Sequence, residues 1–351
     1  MKDSRFAFVR VARALTLNKG DVRTAMKFCT MHYGGTSDEA TYLERALIST
    51  ANITNEGDPS GEFFEALRNL GASFIESVRA YSLLGRMMDD PGVRLVEPFR
   101  NYLHSDNAVA SGWAAEGGPV IVGELNFAVT QLNPLKLGTI LVSTEELVRV
   151  IGGNADAILF RDMRNSIVRN LNAALTATDD GADGVRPPGL FHDAETVAYT
   201  GDIEIDIADM LLNFQGDLTT SVFIAHPQTA AWIAMLIGSD LFGALGGELA
   251  GLPIYTSPEL DNAMLGLVDC AQLEVVDLGI EPSVSGQAVV YQNANAQTSP
   301  VSLWQNNCVG LRATTFVNWR LTDFKKYAIY LSGLPDAATR KAKLKTAAKK
   351  A

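Results

Sequence analysis

The sequence predicts an α+β fold, and three stretches of the chain carry this prediction. Apolar residues alternate over residues 120–129, and a second β-like run covers residues 136–142. Over residues 155–178 apolar residues instead recur every three or four positions, which is typical of a long helix. From residue 205 to residue 278, helix-like and strand-like segments alternate. Together these patterns predict helices and sheets packed around shared cores.

The first of these stretches predicts a long hairpin. Its two strand-like arms are expected to join near Gly123 and to pair with each other. Such a hairpin has too little apolar surface to be stable alone, so it needs a partner surface. The second arm leads into Ser143, Thr144 and two glutamates, which is a helix start with a hydroxyl N-cap and an acidic first turn. An extended hairpin that feeds a helix is suited to reaching across to another molecule.

The long helix has one apolar side and one polar side. The apolar side carries Phe160, Met163, Ile167, Leu171 and Ala174. The polar side carries Arg161, Arg164, Asn165, Arg169 and Asn172. About 24 residues give a rod of about 36 Å, ended by the breaker cluster at residues 179–181. The arginines form a solvated face or, in an assembly, contact acidic groups of a neighbour.

The order of residues around the hairpin resembles a known family. It runs through Trp113, Glu116, Gly117, a turn and Phe127, then Lys136-Leu137, Val142-Ser143 and Glu145-Glu146-Leu147. This order resembles the tailed-phage major capsid proteins of the Hong Kong 97 fold. In that family a Trp-x-x-Glu-Gly stretch and a strand pair form an extended loop, the E-loop, and the next strand enters a long spine helix.

The resemblance covers about residues 62–333, and it implies a Hong Kong 97-like α+β fold. That fold has a peripheral domain with the spine helix and a sheet, an axial domain, an E-loop hairpin and an N-arm. The resemblance also implies subunit contacts, at Trp113, Glu116, Phe127, Arg161, Arg164 and Arg169. Some members link an E-loop lysine covalently to a neighbour's asparagine. Here the first lysine after residue 101 is Lys136, at the base of the hairpin, which predicts a shell held non-covalently.

The expected segments follow from the resemblance and from shifts in composition. Residues 1–54 are an N-terminal helical extension, 55–100 the N-arm and lead-in, and 101–135 the E-loop. Residues 136–200 are the peripheral domain with the spine helix, and 201–308 the axial domain. Residues 309–335 return as strands to the peripheral domain, with a last strand around residues 327–331 that closes its sheet. Residues 336–351 are a basic C-terminal tail.

Two of these segments allow more than one interpretation. The apolar pattern over residues 63–84 fits an N-arm lying along a neighbouring subunit, and it fits equally a core helix of the chain's own domain. The tail carries six basic residues, Arg340, Lys341, Lys343, Lys345, Lys349 and Lys350. Their hydration cost forbids burial without partners. We therefore expect the tail to dock on an acidic surface, to face packaged DNA, or to remain a solvated helix.

Composition excludes several classes of protein. A net charge of -11 argues against a dedicated nucleic-acid binder, whose affinity rests on Lys and Arg contacts to phosphate. An acidic wall does suit a shell around DNA, because it would not stick to its contents. No apolar run reaches the ~18 residues that a membrane helix needs. Three cysteines without CxxC spacing fit a reducing cytoplasm rather than a disulfide framework.

Motifs for chemistry are missing from the sequence. The four histidines have no metal-binding spacing, and no GxSxG, Walker or GxGxxG motif occurs. Cys270 beside Asp269 is more typical of a packed thiol than of a nucleophile. His226, before Pro227, is more typical of a turn residue than of a base. No catalytic, cofactor or metal site is therefore expected.

These observations predict a major capsid protein that self-assembles into an icosahedral head around double-stranded DNA. The expected partners are other copies in pentamers and hexamers, together with scaffold, portal and cement proteins, and no membrane. The expected location is the virion, after assembly in the host cytoplasm. Two alternatives remain open. One is an encapsulin-type nanocompartment shell, and the other is a cytoplasmic α/β hydrolase or transferase that uses Cys270 or a histidine.

Overall fold

The structure is a computed structural model. It describes residues 10–11, 13–14, 18, 22–35, 37, 40, 43, 78–89, 92–105, 127–144, 146, 152–293 and 298–347. Its helices are α1 (Val22–Tyr33), α2 (Leu83–Asp89), α3 (Gly152–Leu175), α4 (Ile203–Asn213), α5 (Pro227–Ile237), α6 (Phe324–Tyr327) and α7 (Ala337–Ala347). In this part of the chain no helix is long and apolar enough to cross a membrane.

Within the described residues, the strands form two larger sheets and two ribbons. Those of the first half are β1 (Arg94–Leu95), β2 (Asn101–Ser105), β3 (Phe127–Gln131), β4 (Leu135–Thr144), β5 (Glu195–Ala198), β6 (Ser221–Ala225), β7 (Phe242–Gly243) and β8 (Gly246–Leu249). Those of the second half are β9 (Leu252–Thr256), β10 (Leu265–Asp269), β11 (Leu273–Ser285), β12 (Val289–Asn293), β13 (Thr298–Ser302), β14 (Cys308–Leu321) and β15 (Ala328–Ser332).

A four-stranded sheet in the order β1-β11-β14-β4 lies against the long helix α3. Strand β4 pairs along its whole length with β14, from Leu135 opposite Val317 to Thr144 opposite Cys308. The predicted pairing of β4 with the preceding arm is therefore wrong, because β3 pairs with β2 instead. Alternate residues of β4, such as Leu137 and Leu141, pack into the core under α3. Strand β14 pairs with all of β4, from residue 135 to residue 144.

Helix α3 confirms the predicted long helix, displaced by three residues toward the N-terminus at each end. Its buried residues Met163 and Ile167 share a core with the sheet and with α1. Asn172, expected on the polar side, is instead buried. Its Oδ1 accepts a hydrogen bond from the backbone N–H of Leu83 at 2.9 Å, which fixes the start of α2. Helix α2 packs on α3 in the chain's own core. Most of the segment for which an N-arm or a core helix was expected, residues 63–77, lies outside the described residues.

The larger sheet has seven strands in the order β5-β15-β10-β6-β9-β8-β7. Strands β6 and β10 are buried on both faces, as their continuous apolar runs predict. One face packs against α4 and α5, and the other packs against Phe191 and the end of α3. The predicted helix and strand order over residues 205–256 is confirmed by α4, β6, α5, β8 and β9.

Two strands belong to a different sheet than the sequence predicted. The strand at residues 327–331 was expected to close the peripheral sheet, but β15 lies between β5 and β10 in the seven-stranded sheet. The short helix α6 redirects the chain after β14, which lets β15 bury its side chains there. Conversely, residues 273–278, expected in the axial domain, belong to β11 of the four-stranded sheet. A β-bulge at Asp277 lets β11 continue along β14 beyond the irregular step.

Candidate assembly surfaces

Strands β2 and β3 form a two-stranded hairpin within residues 101–135, the range expected for the E-loop. Its arms pair from Asn101 opposite Gln131 to Ser105 opposite Phe127. The base is held by the Gln131 side chain, which donates to the Phe99 carbonyl oxygen at 3.0 Å. Trp113 and Glu116, two of the predicted contact residues, lie outside the described residues. Phe127, the third predicted contact residue, begins the returning strand β3.

The three arginines predicted as contacts lie on α3, and each has a partner within the chain. Arg161 contacts Asp162 of the same helix, with its Nε 3.2 Å from a carboxylate oxygen. Arg164 stacks with its guanidinium 3.9 Å from the centre of the Tyr81 ring. Exposed pairs of this kind contribute less than about 1 kcal/mol, so they leave these cations able to bind elsewhere.

Arg169 differs from the other two because its partner belongs to another part of the fold. Its Nε lies 3.4 Å from Glu259, which follows β9 of the seven-stranded sheet. The long helix is thereby linked directly to that sheet.

A second projecting element is the β7–β8 turn at the end of the seven-stranded sheet. Leu245 at its tip is 96% exposed and Leu241 beside it 73% exposed, while Phe242 is buried and anchors the turn. Gly246 and Gly247 both have positive φ, and a Cβ on Gly247 would lie 2.2 Å from the Leu241 carbonyl oxygen. The glycine pair seen in the sequence therefore serves this tight turn. The two neighbouring exposed leucines make this turn a candidate contact surface.

The tail helix α7 docks on the chain's own seven-stranded unit. Arg340 is only 6% exposed, although the tail was expected to contain no buried charge. Its guanidinium donates to Asn262 and Thr229 and lies 5.1 Å from the centre of the Trp232 ring. Lys343 donates to the Tyr199 hydroxyl and, at 2.6 Å, to the Gly201 carbonyl oxygen.

The expectation of an acidic docking surface for the tail is therefore wrong for these two residues. Within the described contacts, Arg340 and Lys343 bind carbonyl, amide and hydroxyl oxygens and aromatic rings rather than carboxylates. Neutral acceptors can satisfy a cation when several converge on it. Sequence reasoning missed this because Asn262, Thr229 and Trp232 lie far from Arg340 in the chain.

The residues considered for chemistry have structural positions. Cys270 is buried, and this burial, with the Asp269 charge beside it, raises the pKa of its thiol far above the ordinary value. The thiol therefore stays protonated and is a poor nucleophile. The Nδ1 of His226 accepts the Gln228 N–H at 3.2 Å and caps α5, as a turn residue would. Among the described residues, no group of acidic, histidine or cysteine side chains could hold a metal ion.

Solved structures share this architecture. A chain from Mycobacterium phage Adephagia aligns with 70% of this chain and 87% of its own length, at a TM-score of 0.51 and 13% identity. A chain from Gordonia phage Cozz aligns with 74% of this chain and 86% of its own length, at a TM-score of 0.51 and 12% identity. These likenesses establish the Hong Kong 97-like capsid fold, with its mixture of helices and sheets, and confirm the predicted fold class.

The sequence comparison agrees with the fold. Residues 66–330 match the phage capsid family. The chain is also 27% identical, over 361 aligned positions, to the capsid polyprotein of Pseudomonas phage PAJU2. That alignment covers 93% of this chain, and the chain spans about half (54%) of the relative's length. The chain belongs to the phage capsid family. Membership confirms the predicted family and indicates a capsid component of the virion.

Proposed function

We propose that this chain assembles with copies of itself into rings of five and six, which close into an icosahedral head around double-stranded DNA. Assembly takes place in the host cytoplasm, with scaffold, portal and cement proteins as further partners. The four-stranded sheet and α3 serve as the peripheral domain, and the seven-stranded sheet serves as the axial domain. The chain performs no catalysis in this process.

The observation that carries this proposal is the β2–β3 hairpin. It is a two-stranded ribbon that pairs with no third strand in the described part of the chain. Isolated two-stranded ribbons are marginal in water and need a surface to lie on. In a shell, that surface is the peripheral domain of a neighbouring copy, which Trp113, Glu116 and Phe127 would contact. Arg161, Arg164 and Arg169 would contribute further cationic contacts from α3.

Shortening the E-loop tests the proposal. We would replace residues 107–125 by a short Gly-Ser turn, which keeps both paired arms, and express this variant beside the full chain. The full chain should form closed shells or rings in negative-stain micrographs, and the shortened chain should remain as subunits or small rings. Equal thermal unfolding of the two unassembled subunits would show that the fold is intact. Closed shells formed by the shortened chain would contradict the proposal.

A further inference from the structure

Helix α4 has an apolar side that the described part of the chain leaves exposed. Ile205, Ala208 and Leu212 are spaced by three and four residues and therefore share one side of the helix. Ile205 is 56% exposed and Leu212 is 81% exposed. The opposite side, formed by Ile203, Ile207 and Met210, is buried against the seven-stranded sheet. A surface helix normally has one apolar side, so the second side of α4, here named the α4 ridge, needs an explanation.

The α4 ridge has an acidic border. Glu204 and Asp209 lie on its two flanks by helical geometry, about 100° to one side of Ile205 and about 40° to the other. Both carboxylates face solvent at least in part. Neither has an ion-pair partner among the described salt bridges. An apolar strip with an acidic border fits a flat partner surface with a cationic border.

The open side of the tail helix has that complementary chemistry. Ala338 and Ala342 are exposed and one turn apart, and Lys341 is exposed beside them. Small residues let two helices approach closely, and Lys341 would face the acidic border of the ridge. The docked side of α7 is already used by Arg340 and Lys343, so it holds the open side in a fixed orientation.

We propose that the α4 ridge is a contact between copies of this chain, in which it packs against the open side of α7 of a neighbouring copy. This inference rests on the proposed function, because it requires that copies assemble. It adds a specific pair of surfaces to that function. One is the apolar α4 ridge with its acidic border, and the other is the alanine-lined side of α7 with Lys341 at its border. Shell assembly would thereby depend on the tail twice, once for docking on its own subunit and once for contact with the next.

The first test compares variants of the ridge with a matched control. The double substitution I205Q/L212Q should raise the critical concentration for assembly at least about tenfold, since it removes apolar burial at the contact. The control V185Q/L278Q changes two other exposed apolar residues and should assemble like the unaltered chain. Unassembled subunits of all three chains should have the same unfolding temperature. The inference would be overturned if the ridge variant assembled at the same critical concentration as the unaltered chain. It would also be overturned if the control raised the critical concentration as much as the ridge variant did.

A charge exchange tests the partner surface. D209K should weaken assembly, and D209K/K341D should restore it at least in part. Failure of the second substitution to restore assembly would overturn the assignment to α7.

A cross-link keeps the inference testable even if a ridge variant misfolds. A photoreactive phenylalanine analogue at position 212 of the otherwise unaltered chain should give a product of twice the chain mass, joined to a peptide of α7. Illuminated shells without this product would overturn the inference. Assembly of the unaltered chain itself tests the proposed function separately, because it requires none of these changes.

Discussion

Arg340 holds Asn262 at two points, since its Nη1 donates to the side-chain oxygen at 2.8 Å and its Nη2 to the main-chain oxygen at 2.5 Å. The same Nη1 lies 3.2 Å from the Thr229 hydroxyl on α5. The tail, the loop before β10 and α5 therefore meet at one buried guanidinium. Since Trp232 of α5 lies in the same cluster, the tail is part of the hydrophobic unit rather than an appendage to it.

Replacing Arg340 should destabilise the subunit. R340A removes hydrogen bonds between a charged group and buried acceptors, so we expect the free energy of unfolding to fall by about 2–3 kcal/mol. The matched control K341A changes the neighbouring exposed cation and should alter it by less than about 0.5 kcal/mol. Denaturant titration of unassembled subunits gives both values. The loss in R340A should also be nearly the same at low and high salt, because the acceptors are uncharged. A loss that disappears in high salt would mean that a carboxylate carries the contact.

His226 should make the subunit less stable in mild acid. Partial burial first, and the nearby charge of Arg340 second, lower the pKa of His226 against the opposing effect of Asp261. The unfolded chain then takes up a proton before the folded chain does, so stability is lost as the pH falls below about 6.5. The variant H226N keeps a capping acceptor for α5 without a titrating group. From pH 7.5 to pH 5.5, the unfolding temperature of the unaltered chain should fall relative to that of H226N. A constant difference would show that this histidine does not titrate differently on folding.

Gly189 should tolerate no side chain. A Cβ there would lie 1.9 Å from the main-chain oxygen of Ala177, just after α3. The chain returns along the end of α3 at this point, where the Leu190 N–H donates to the Leu175 carbonyl oxygen at 2.8 Å. We expect G189A to cost about 2–3 kcal/mol through overpacking. In contrast, G243A places its Cβ in open space and should be nearly neutral. Equal unfolding midpoints for the two variants would contradict this close packing.

Mature particles should contain no covalent links between subunits. No lysine lies between residues 101 and 135, and Lys136 is in β4, opposite Phe316 within the sheet. An amine at that position is at the base of the E-loop and should not reach an asparagine of a neighbour. Boiled and reduced particles should therefore give a single band at the chain mass of 37.8 kDa. A ladder of heavier bands would show that another residue forms a link.

Local patterns predicted most helices and strands, because the spacing of apolar residues along the chain reflects which side of a helix or strand is buried. The stripe through Met163 and Ile167 gave α3, and the apolar run at residues 221–225 gave β6. Strand partners were predicted less well. Period two specifies which face of β4 is buried but not whether β3 or β14 lies beside it. The same limit misplaced β15, since α6 decides which sheet it joins.

Some features of the candidate surfaces could likewise be predicted from the sequence, and others could not. The position of the E-loop is implied by a resemblance in residue order, and it stays a prediction; the paired strands β2 and β3 lie within its expected range. The buried Arg340 was not predictable, because its acceptors come from distant segments and composition alone marks the tail as solvated. The α4 ridge could have been found in the sequence, since Ile205, Ala208 and Leu212 form a second stripe beside Ile203, Ile207 and Met210. Only burial shows which of the two stripes faces the core.

Electron microscopy of the purified chain tests the central claim most directly. We expect vitrified samples to show closed shells whose reconstruction places copies of this chain in rings of five and six. The β2–β3 hairpin of each copy should lie on the peripheral domain of the next. A uniform population of 37.8 kDa monomers, at concentrations and with scaffold partners that support head assembly in related phages, would contradict the account.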